Sequence, residues 1–227
     1  MSRLSKRMKE VNRLTEKLVA PVPLKEAVTI LAKAPKTKFD ETVELHFNLN
    51  IDTKSSEQGV RGTVVLPHGI GKKIRVAVFC KGDAQAKAQA AGADHVGGTD
   101  LIDKVNGGFM DFDVVVATPD MMRDISKLGK VLGPRGLMPT PKAGTVTTDV
   151  ERAVREVKAG RVEFKSDKQG GIHLGIGKRS FEEAKLIENA LQVIEAINHS
   201  KPATVKGTLI KSLSLASTMG PGVKVAL

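Results

Sequence analysis

The side chains that could perform catalysis or bind a metal are few and are not arranged for either task. The five histidines are His46, His68, His95, His173 and His199. No two of them have the close spacing typical of metal ligands, so the sequence gives a zinc site no local support. Cys80 lies in an apolar segment, where a thiol usually packs in the core. We therefore predict no catalytic residue, no metal and no cofactor.

The glycine-rich segments do not match the sequence motifs of phosphate-binding loops. A Walker loop needs Ser or Thr after its Gly-Lys pair, but Gly177 and Lys178 are followed by Arg179. The apolar segment at residues 74–80 is followed by Lys-Gly-Asp-Ala, which lacks the second and third glycines of a dinucleotide fingerprint. An enzyme with a nucleotide site in the middle of the chain is the alternative from another functional class.

The composition indicates a folded protein with a polyanionic partner. The 227 residues include 36 Lys and Arg against 25 Asp and Glu, a net charge of +11. An excess of this size favours nucleic acid as the partner. There are seven Phe but no Tyr or Trp, which argues against a site that stacks unpaired bases on aromatic rings.

The positive charge is spread along the chain. Residues 1–67 and 160–227 together carry +8, and residues 68–159 carry +3. Residues 125–148 and 196–227 contain no carboxylate at all, which favours contact with phosphate over the alternative of a solvated basic surface. The first of these stretches includes Lys130, Arg135 and Lys142 in a segment rich in proline and glycine. We interpret that segment as an ordered basic loop, with a plain strand-to-helix crossover as the alternative.

Hydropathy patterns divide the chain into outer and middle segments. In the outer segments we predict helices at residues 2–19, 24–33 and 180–198, the last with a Ser180–Glu183 capping box. Residues 42–51 alternate apolar and polar side chains as a half-buried strand, with 60–66 as an antiparallel partner. Residues 161–165 and 171–176 are predicted to form a hairpin, and 208–215 the final strand.

The middle segment has the pattern of a parallel α/β unit. Apolar strands are predicted at residues 74–80 and 113–117, and helices at 83–91, 99–106, 120–127 and 149–158. Asp83 and Asp120 are placed as helix N-caps. We infer that residues 68–159 are inserted into a domain built from 1–67 and 160–227; the alternative is one continuous sheet.

The cellular location is expected to be the cytoplasm. A single cysteine excludes an internal disulfide and fits a reducing compartment. The basic N-terminus is not followed by the apolar region of a secretory signal, and no apolar run is long enough for a membrane span. We expect a soluble protein without a membrane partner.

Several longer motifs carry a resemblance to a known family. They include Lys-Phe-Asp-Glu-Thr-Val-Glu at 38–44, Leu-Pro-His-Gly at 66–69, Ala-Thr-Pro-Asp at 117–120, Lys-Ala-Gly-Thr at 142–145 and Thr-Met-Gly-Pro-Gly at 218–222. In collinear order over nearly the full length, the chain resembles the family of bacterial large-subunit ribosomal protein one, the universal stalk protein of the 50S subunit.

The resemblance implies both the fold and the function. It implies a two-layer α/β domain formed by both chain ends and an inserted Rossmann-like three-layer α/β domain. The implied function is that of a structural constituent of the large ribosomal subunit, not an enzyme. Such a protein binds 23S rRNA, forms the mobile stalk that helps release deacylated tRNA from the exit site, and represses its own operon by binding the mRNA. We expect a monomer when free.

The resemblance also implies which residues bind RNA. The rRNA- and mRNA-binding set is Lys38, Phe39, Thr42, Glu44, Lys165, Ser166, Asp167, Lys168, His173, Thr218, Met219 and Gly220. The basic loop residues Lys130, Arg135 and Lys142 are candidates to face tRNA. The missing Tyr and Trp then fit a folded RNA recognised by shape, 2′-hydroxyls and backbone. A general RNA chaperone, which would bind many RNAs equally, is a third reading.

Overall fold

The computed structural model describes residues 5–16, 21–52 and 58–226, apart from the side chain of Lys142. The chain divides into two compact units. Residues 1–71 and 163–227 form one, called here the terminal unit, and residues 72–162 form the other, the central unit. The chain passes between the units a few residues later than the sequence-based boundaries after residues 67 and 159.

The described helices and strands are numbered here in chain order. The helices are α1 (Lys6–Thr15), α2 (Leu24–Lys33), α3 (Asp83–Ala90), α4 (Thr99–Asn106), α5 (Met122–Ile125), α6 (Gly129–Leu132), α7 (Val150–Lys158) and α8 (Glu183–His199). The strands are β1 (Thr42–Leu49), β2 (Arg61–Val65), β3 (Val76–Phe79), β4 (His95–Gly97), β5 (Val114–Ala117), β6 (Arg161–Lys165), β7 (Gly171–Lys178), β8 (Ile210–Ser217) and β9 (Val223–Val225). None of the helices in the described ranges is long and apolar enough to cross a membrane.

The terminal unit is a two-layer structure built on an antiparallel sheet with strand order β7-β1-β8-β9. The alternation predicted for β1 is confirmed: Val43, Leu45, Phe47 and Leu49 are buried, while the residues between them are not. Helices α2 and α8 cover the apolar face, and Val28, Leu31 and Leu186 line a small cavity together with Val43. The opposite face of the sheet, called here the outer face, is polar.

Two predicted strand pairings are wrong. Strand β1 is flanked by β7 on one side and β8 on the other, so no edge of it remains for β2. Strand β2 instead pairs with β6 in a separate two-stranded sheet. Consequently β6 and β7 are not the arms of one hairpin, because the turn between them carries the chain from one sheet to the other.

Several predicted element ends in the terminal unit also need correction. Ser180 does not cap α8: its Oγ donates to Asp40 Oδ2 at 2.7 Å, and α8 begins at Glu183 without a side-chain cap. The strand predicted at 208–215 is β8, but it is not the last, because the three-residue strand β9 follows. Helix α2 has the predicted bounds. Helix α1 confirms part of the prediction at 2–19; residues 2–4 and 17–19 lie outside the described ranges.

The central unit is a three-layer, Rossmann-like α/β structure, as predicted. Its parallel sheet has the order β4-β3-β5, and successive residues of β3 face opposite sides. Ala77 and Phe79 pack in a cluster with residues of α4, α5 and α6, whereas Val76 and Val78 pack against α3 and α7. Helices on both faces explain why the strands are apolar throughout.

Local details of the central unit differ from the prediction at its helix starts. Gly82, with φ of 63°, precedes α3 in the N-cap position, so Asp83 is the first helical residue instead of the cap. Asp120 lies in a 3₁₀ turn (Pro119–Met121), and the predicted helix at 120–127 is broken into short turns. Strand β4 was not predicted, because three residues ending in glycine show no usable periodicity.

Leu132 is fully buried, and Leu137 and Met138 pack against the same cluster, so the segment around residues 130–144 is ordered. It is not a loop throughout, because residues 130–132 belong to α6 and Pro141–Ala143 form a 3₁₀ turn. The segment lies between β5 and α7, so the alternative of a strand-to-helix crossover also stands. Cys80 is also fully buried, and this burial raises the pKa of its thiol, as expected for a core cysteine.

Asn189 is a polar residue in the core whose removal should be costly. Its side chain is fully buried in α8, and its Nδ2 donates to Ile176 O at 2.7 Å and Gly69 O at 3.0 Å. Its Oδ1 accepts from His68 N at 3.2 Å. We expect Asn189→Leu to lower the free energy of unfolding by about 2–4 kcal/mol, because backbone groups lose their partners. Chemical denaturation measures this. The control Gln192→Leu, on the exposed side of the same helix, should cost less than about 0.5 kcal/mol. Equal losses would contradict the assigned role.

Candidate nucleic-acid interface

The outer face of the terminal sheet is a polar surface with small side chains beside β1. Thr42, Glu44, His46 and Asn48 of β1 point away from the core because they alternate with the buried positions. Their register partners include Gly171 and Gly175 on β7, and Ser212, Ser214 and Ala216 on β8. The neighbours on β8 are thus small, whereas on β7 two glycines alternate with His173 and Lys178.

Two loops meet at the end of the sheet where β1 begins. Thr42 N donates to Thr218 Oγ1 at 3.0 Å, and Thr218 N donates to Thr42 O at 3.0 Å. These bonds hold residues 36–40, before β1, beside residues 218–220, after β8. Phe39 and Met219 are 54% and 48% exposed, so both are apolar side chains presented to solvent. Phe39 is therefore not a core residue.

A buried ion pair lies directly beneath these two loops. Glu41 is 1% exposed, and its Oε2 accepts from Arg179 Nη1 at 2.5 Å. The other carboxylate oxygen, Oε1, accepts from Met219 N at 3.1 Å and from Ser217 Oγ at 3.5 Å. One carboxylate thus connects the start of β1 to the loop after β8.

The guanidinium of Arg179 extends the same network to helix α2. It donates to the backbone oxygens of Ala32, Ala34 and Pro35, which lie at and just after the end of that helix. Cations are favoured at this end, where backbone carbonyls have no helical partner. Residues 36–40 therefore follow a backbone segment that Arg179 holds in place, and this fixes their position relative to the sheet.

Position 220 requires glycine because its backbone lies too close to the Ser217 side chain for a Cβ atom. A Cβ at position 220 would collide with Ser217 Oγ, while Gly220 N donates to Ser217 O at 2.9 Å to close the turn. Arg7 of α1 supports this loop from outside, donating from Nη1 to Met219 O at 2.7 Å. The exposed methionine is thus carried by a backbone that is bonded at several points.

The turn between β6 and β7 lies at the other end of β1. Ser166 is tied to Val60 through a backbone bond of 2.8 Å and through its Oγ, which accepts from Val60 N at 3.1 Å. Asp167 Oδ1 accepts from Gln169 N at 2.8 Å and from Gly171 N at 2.7 Å. The Gly171 bond is the main cause of the lowered pKa of Asp167. Lys165 and Lys168 are exposed beside this ordered turn.

His46 and His173 are brought together by the pairing of β1 with β7. They are directly opposed in the register, and their Nδ1 atoms are 2.9 Å apart. Burial lowers the pKa of His46, the charge of His173 lowers it further, and Glu44 raises it. The spacing of the histidines along the chain did not indicate this contact, because residues 46 and 173 are far apart in the sequence.

All twelve residues of the predicted RNA-binding set lie on the terminal unit. They form groups at the two ends of the outer face, with Glu44 and His173 between them. Thr42 and Asn48 are six positions apart in β1, so the groups are separated by roughly 20 Å at about 3.3 Å per residue. Lys130 and Arg135 are exposed but belong to the central unit, as does Lys142. Sequence reasoning missed Glu41, Arg179 and His46, although Glu41 lies inside the 38–44 motif.

The described residues form no larger cluster of metal-ligating side chains. Over residues 5–16, 21–52 and 58–226, no group of three or more His, Cys, Asp or Glu side chains could hold a metal ion. Asp113, one of the carboxylates beside Phe112, is bonded to Lys72 and Arg75, and the Lys72 bond is the main cause of its pKa of about 2. This carboxylate is a structural partner of two cations.

The Glu41–Arg179 pair can be tested by removing one partner. Glu41→Ala leaves the guanidinium unpaired in a site where only 10% of the Arg179 side chain is exposed. We expect the free energy of unfolding to fall by about 3–5 kcal/mol, because an uncompensated charge remains buried. The matched control is Lys185→Ala, which breaks the exposed pair of Lys185 with Glu182 and should cost less than about 1 kcal/mol. Similar values for the two variants in chemical denaturation would disprove the anchoring role.

The lowered pKa of His46 predicts a pH dependence of stability. Between its ordinary value of about 6.5 and its lower value in the folded state, the unfolded chain binds more protons, so stability falls as the pH drops below about 6.5. Glu44, His173 and Asp167 are the other ionisable groups of this cluster. His46→Gln should make the decline between about pH 7 and about pH 5 shallower in thermal or denaturant unfolding. His199→Gln, outside the cluster, should keep the wild-type decline, and an unchanged decline in His46→Gln would contradict the prediction.

Comparison with known proteins shows the family of this chain. Residues 30–221 match the Ribosomal protein L1p/L10e family. The whole chain is 54% identical to a protein of Protochlamydia amoebophila (strain UWE25) named "Large ribosomal subunit protein uL1", covering 96% of that protein. Over 208 residues, 92% of the chain, it is 55% identical to a protein of the same name from Solidesulfovibrio magneticus (strain ATCC 700980 / DSM 13731 / RS-1), covering 88% of it. The chain belongs to the Ribosomal protein L1p/L10e family, whose members are structural ribosomal proteins and not enzymes.

Proposed function

We propose that this protein is a cytoplasmic constituent of the large ribosomal subunit and binds 23S rRNA directly through the outer face of its terminal unit. The contact set is the twelve residues at and between the two ends of that face. The same surface binds the mRNA of the protein's own operon and so represses its translation. Bound to the ribosome, the protein forms a mobile stalk that takes part in releasing deacylated tRNA from the exit site.

The observation that carries this proposal is the exposed pair Phe39 and Met219, held beside Lys38 at the edge of a polar sheet face. Large apolar side chains that are half exposed are uncommon in the described part of this chain, and two of the four lie here. Apolar contacts with sugars and base edges can fix position, while lysines attract phosphate. Thr42 and Glu44 offer groups that can bond 2′-hydroxyls, which suits folded RNA.

The rigidity of the surface also supports selective binding. The loops at 36–40 and 218–220 are attached to each other through Thr42 and Thr218, and to the core through Glu41. A preformed surface loses little conformational entropy when it binds, so more of the contact energy appears as affinity. A general RNA chaperone, the third reading, would have less use for such a fixed arrangement.

The proposed role in tRNA release involves the central unit. Lys130 and Arg135 are exposed there, within the carboxylate-free stretch at residues 125–148. With Lys142 they are candidates to face tRNA. The nucleotide-binding enzyme is the less favoured alternative, because the chain belongs to a family of ribosomal proteins and the turn after β3 lacks a glycine-rich phosphate loop.

A titration at several salt concentrations tests the RNA-binding proposal. The ligands are the folded 23S rRNA segment that the protein protects from nuclease, an unrelated RNA duplex, and ATP. We expect tight binding of the rRNA segment alone, with about 0.7–0.9 log units of affinity lost per phosphate contact for each tenfold increase in salt. Equal affinity for the duplex would favour the chaperone reading, and preferential binding of ATP would favour the enzyme.

Two matched pairs of substitutions test the location of the site. Phe39→Ala and Met219→Ala should each weaken rRNA binding about tenfold, because each removes an exposed apolar contact at the edge of the outer face. The controls are Leu191→Ala and Val65→Ala, which remove side chains that are likewise 54% and 48% exposed on α8 and β2. Fluorescence anisotropy with labelled rRNA gives the affinities. Equal weakening by the controls would move the site away from this face.

The same variants address the regulatory proposal. A reporter translated from the leader of the protein's own operon should be repressed by the wild-type protein. Repression should be relieved by Met219→Ala and kept by Val65→Ala. If both variants relieve repression, or if Met219→Ala loses rRNA binding and still represses, the mRNA-binding surface differs from the rRNA-binding surface.

A further inference from the structure

We propose that His46 and His173 form a two-ligand site for a divalent transition-metal ion, of the class of Zn²⁺, Ni²⁺ or Cu²⁺, on the outer face of the terminal unit. The proposal concerns the free protein and does not depend on RNA binding. It rests on the positions of four side chains on β1, β7 and the turn before β7. No two of these residues are neighbours in the chain.

The two rings are paired by the sheet itself. His46 and His173 are directly opposed in the antiparallel register of β1 and β7, and both side chains lie on the outer face. Directly opposed residues have Cβ atoms about 4.5–5.5 Å apart, close enough for two imidazoles to share one ligand. The rings are tilted by 57° with centroids 5.1 Å apart, so they do not stack and meet through their Nδ1 atoms.

The two Nδ1 atoms are close enough to share one metal ion. They are 2.9 Å apart and face each other nearly in line, as in a hydrogen bond. Two imidazole nitrogens on one ion, each at about 2.1 Å, are separated by roughly 3.0 Å at a bond angle of about 90° and by roughly 3.4 Å at a tetrahedral angle. An ion would therefore lie to one side of the line between the nitrogens, and both rings would rotate toward it while the backbone stays in place. Without it, the same two nitrogens can share a single proton.

Carboxylates lie near the opposite nitrogen of each ring. His46 Nε2 is 3.9 Å from Glu44 Oε2, and His173 Nε2 is 3.7 Å from Asp167 Oδ2. Metal-bound histidines commonly donate their second N–H to a carboxylate, which orients the ring and makes it a better ligand. Asp167 is itself held by Gln169 and Gly171, so its carboxylate is already in position. Small shifts of flexible side chains would close both distances.

The chemistry of the donors determines which ions fit. Two neutral imidazoles suit zinc, copper and nickel, whereas magnesium and calcium prefer oxygen ligands. Both histidine side chains are partly exposed, at 34% for His46 and 57% for His173, so water can occupy the remaining positions. Two protein ligands define an accessible, exchangeable site and not a closed structural one.

The experiment uses the full chain without an affinity tag, titrated with ZnCl₂ or NiCl₂ at neutral pH. Calorimetry should show one ion bound per chain. Correlation spectra of the histidine rings should show the signals of His46 and His173 changing before those of His68, His95 and His199. MgCl₂ should leave all five unchanged. Simultaneous change of all five rings would overturn the proposal.

Substitutions assign the binding to the pair. His46→Gln and His173→Gln should each reduce the affinity to that of a single exposed histidine, while His199→Gln should bind as the wild type does. Glu44→Gln should weaken binding about tenfold, because one ring loses its orienting carboxylate. Unchanged affinity in either histidine variant of the pair would refute the site. Far-UV circular dichroism of each variant checks folding, and an rRNA titration of the same proteins shows separately whether the proposed function holds.

Discussion

The Glu41–Arg179 ion pair is the constraint on which the candidate interface depends. Glu41 joins the start of β1 to the loop after β8, and Arg179, directly after β7, holds the end of α2. A buried pair of this kind gains little net stability, since both charges lose their hydration. The pair instead fixes the positions of the segments it joins, because burying either charge without its partner would strongly destabilise the fold. The loops carrying Phe39 and Met219 are thus kept in one arrangement.

The two units bury their sheets in different ways. In the central unit, helices cover both faces of a parallel sheet, so the side chains of the strands are buried on both faces. In the terminal unit, α2 and α8 cover one face, and the alternation in β1 leaves the other face polar. A sheet that is covered on one face leaves its other face free to contact a partner. The proposed rRNA contact and the histidine pair both use this surface.

Much of the fold could be predicted because its signals are local. The bounds of α2, the alternation of β1 and the buried strands β3 and β5 follow from periodicity within a few residues. The errors concern partners in space. Strand β2 was predicted to pair with β1 because it follows β1 in the chain, but it pairs with β6. Ser180 was predicted to cap α8, but its hydroxyl donates to Asp40 instead. In both cases a segment distant in the chain provides the actual partner, and the residues nearby in sequence carry no signal of it.

Composition and motifs were enough to indicate the class of the protein: an α/β chain with a basic excess, no stacking Tyr or Trp, and long motifs that belong to a ribosomal protein family. The motifs also indicated Phe39 and Met219 as candidate contacts. The folded structure was needed to show that both side chains are exposed, that Glu41 and Arg179 anchor their loops, and that His46 contacts His173. The physical reason is that strand register and burial arise from packing between segments more than 100 residues apart.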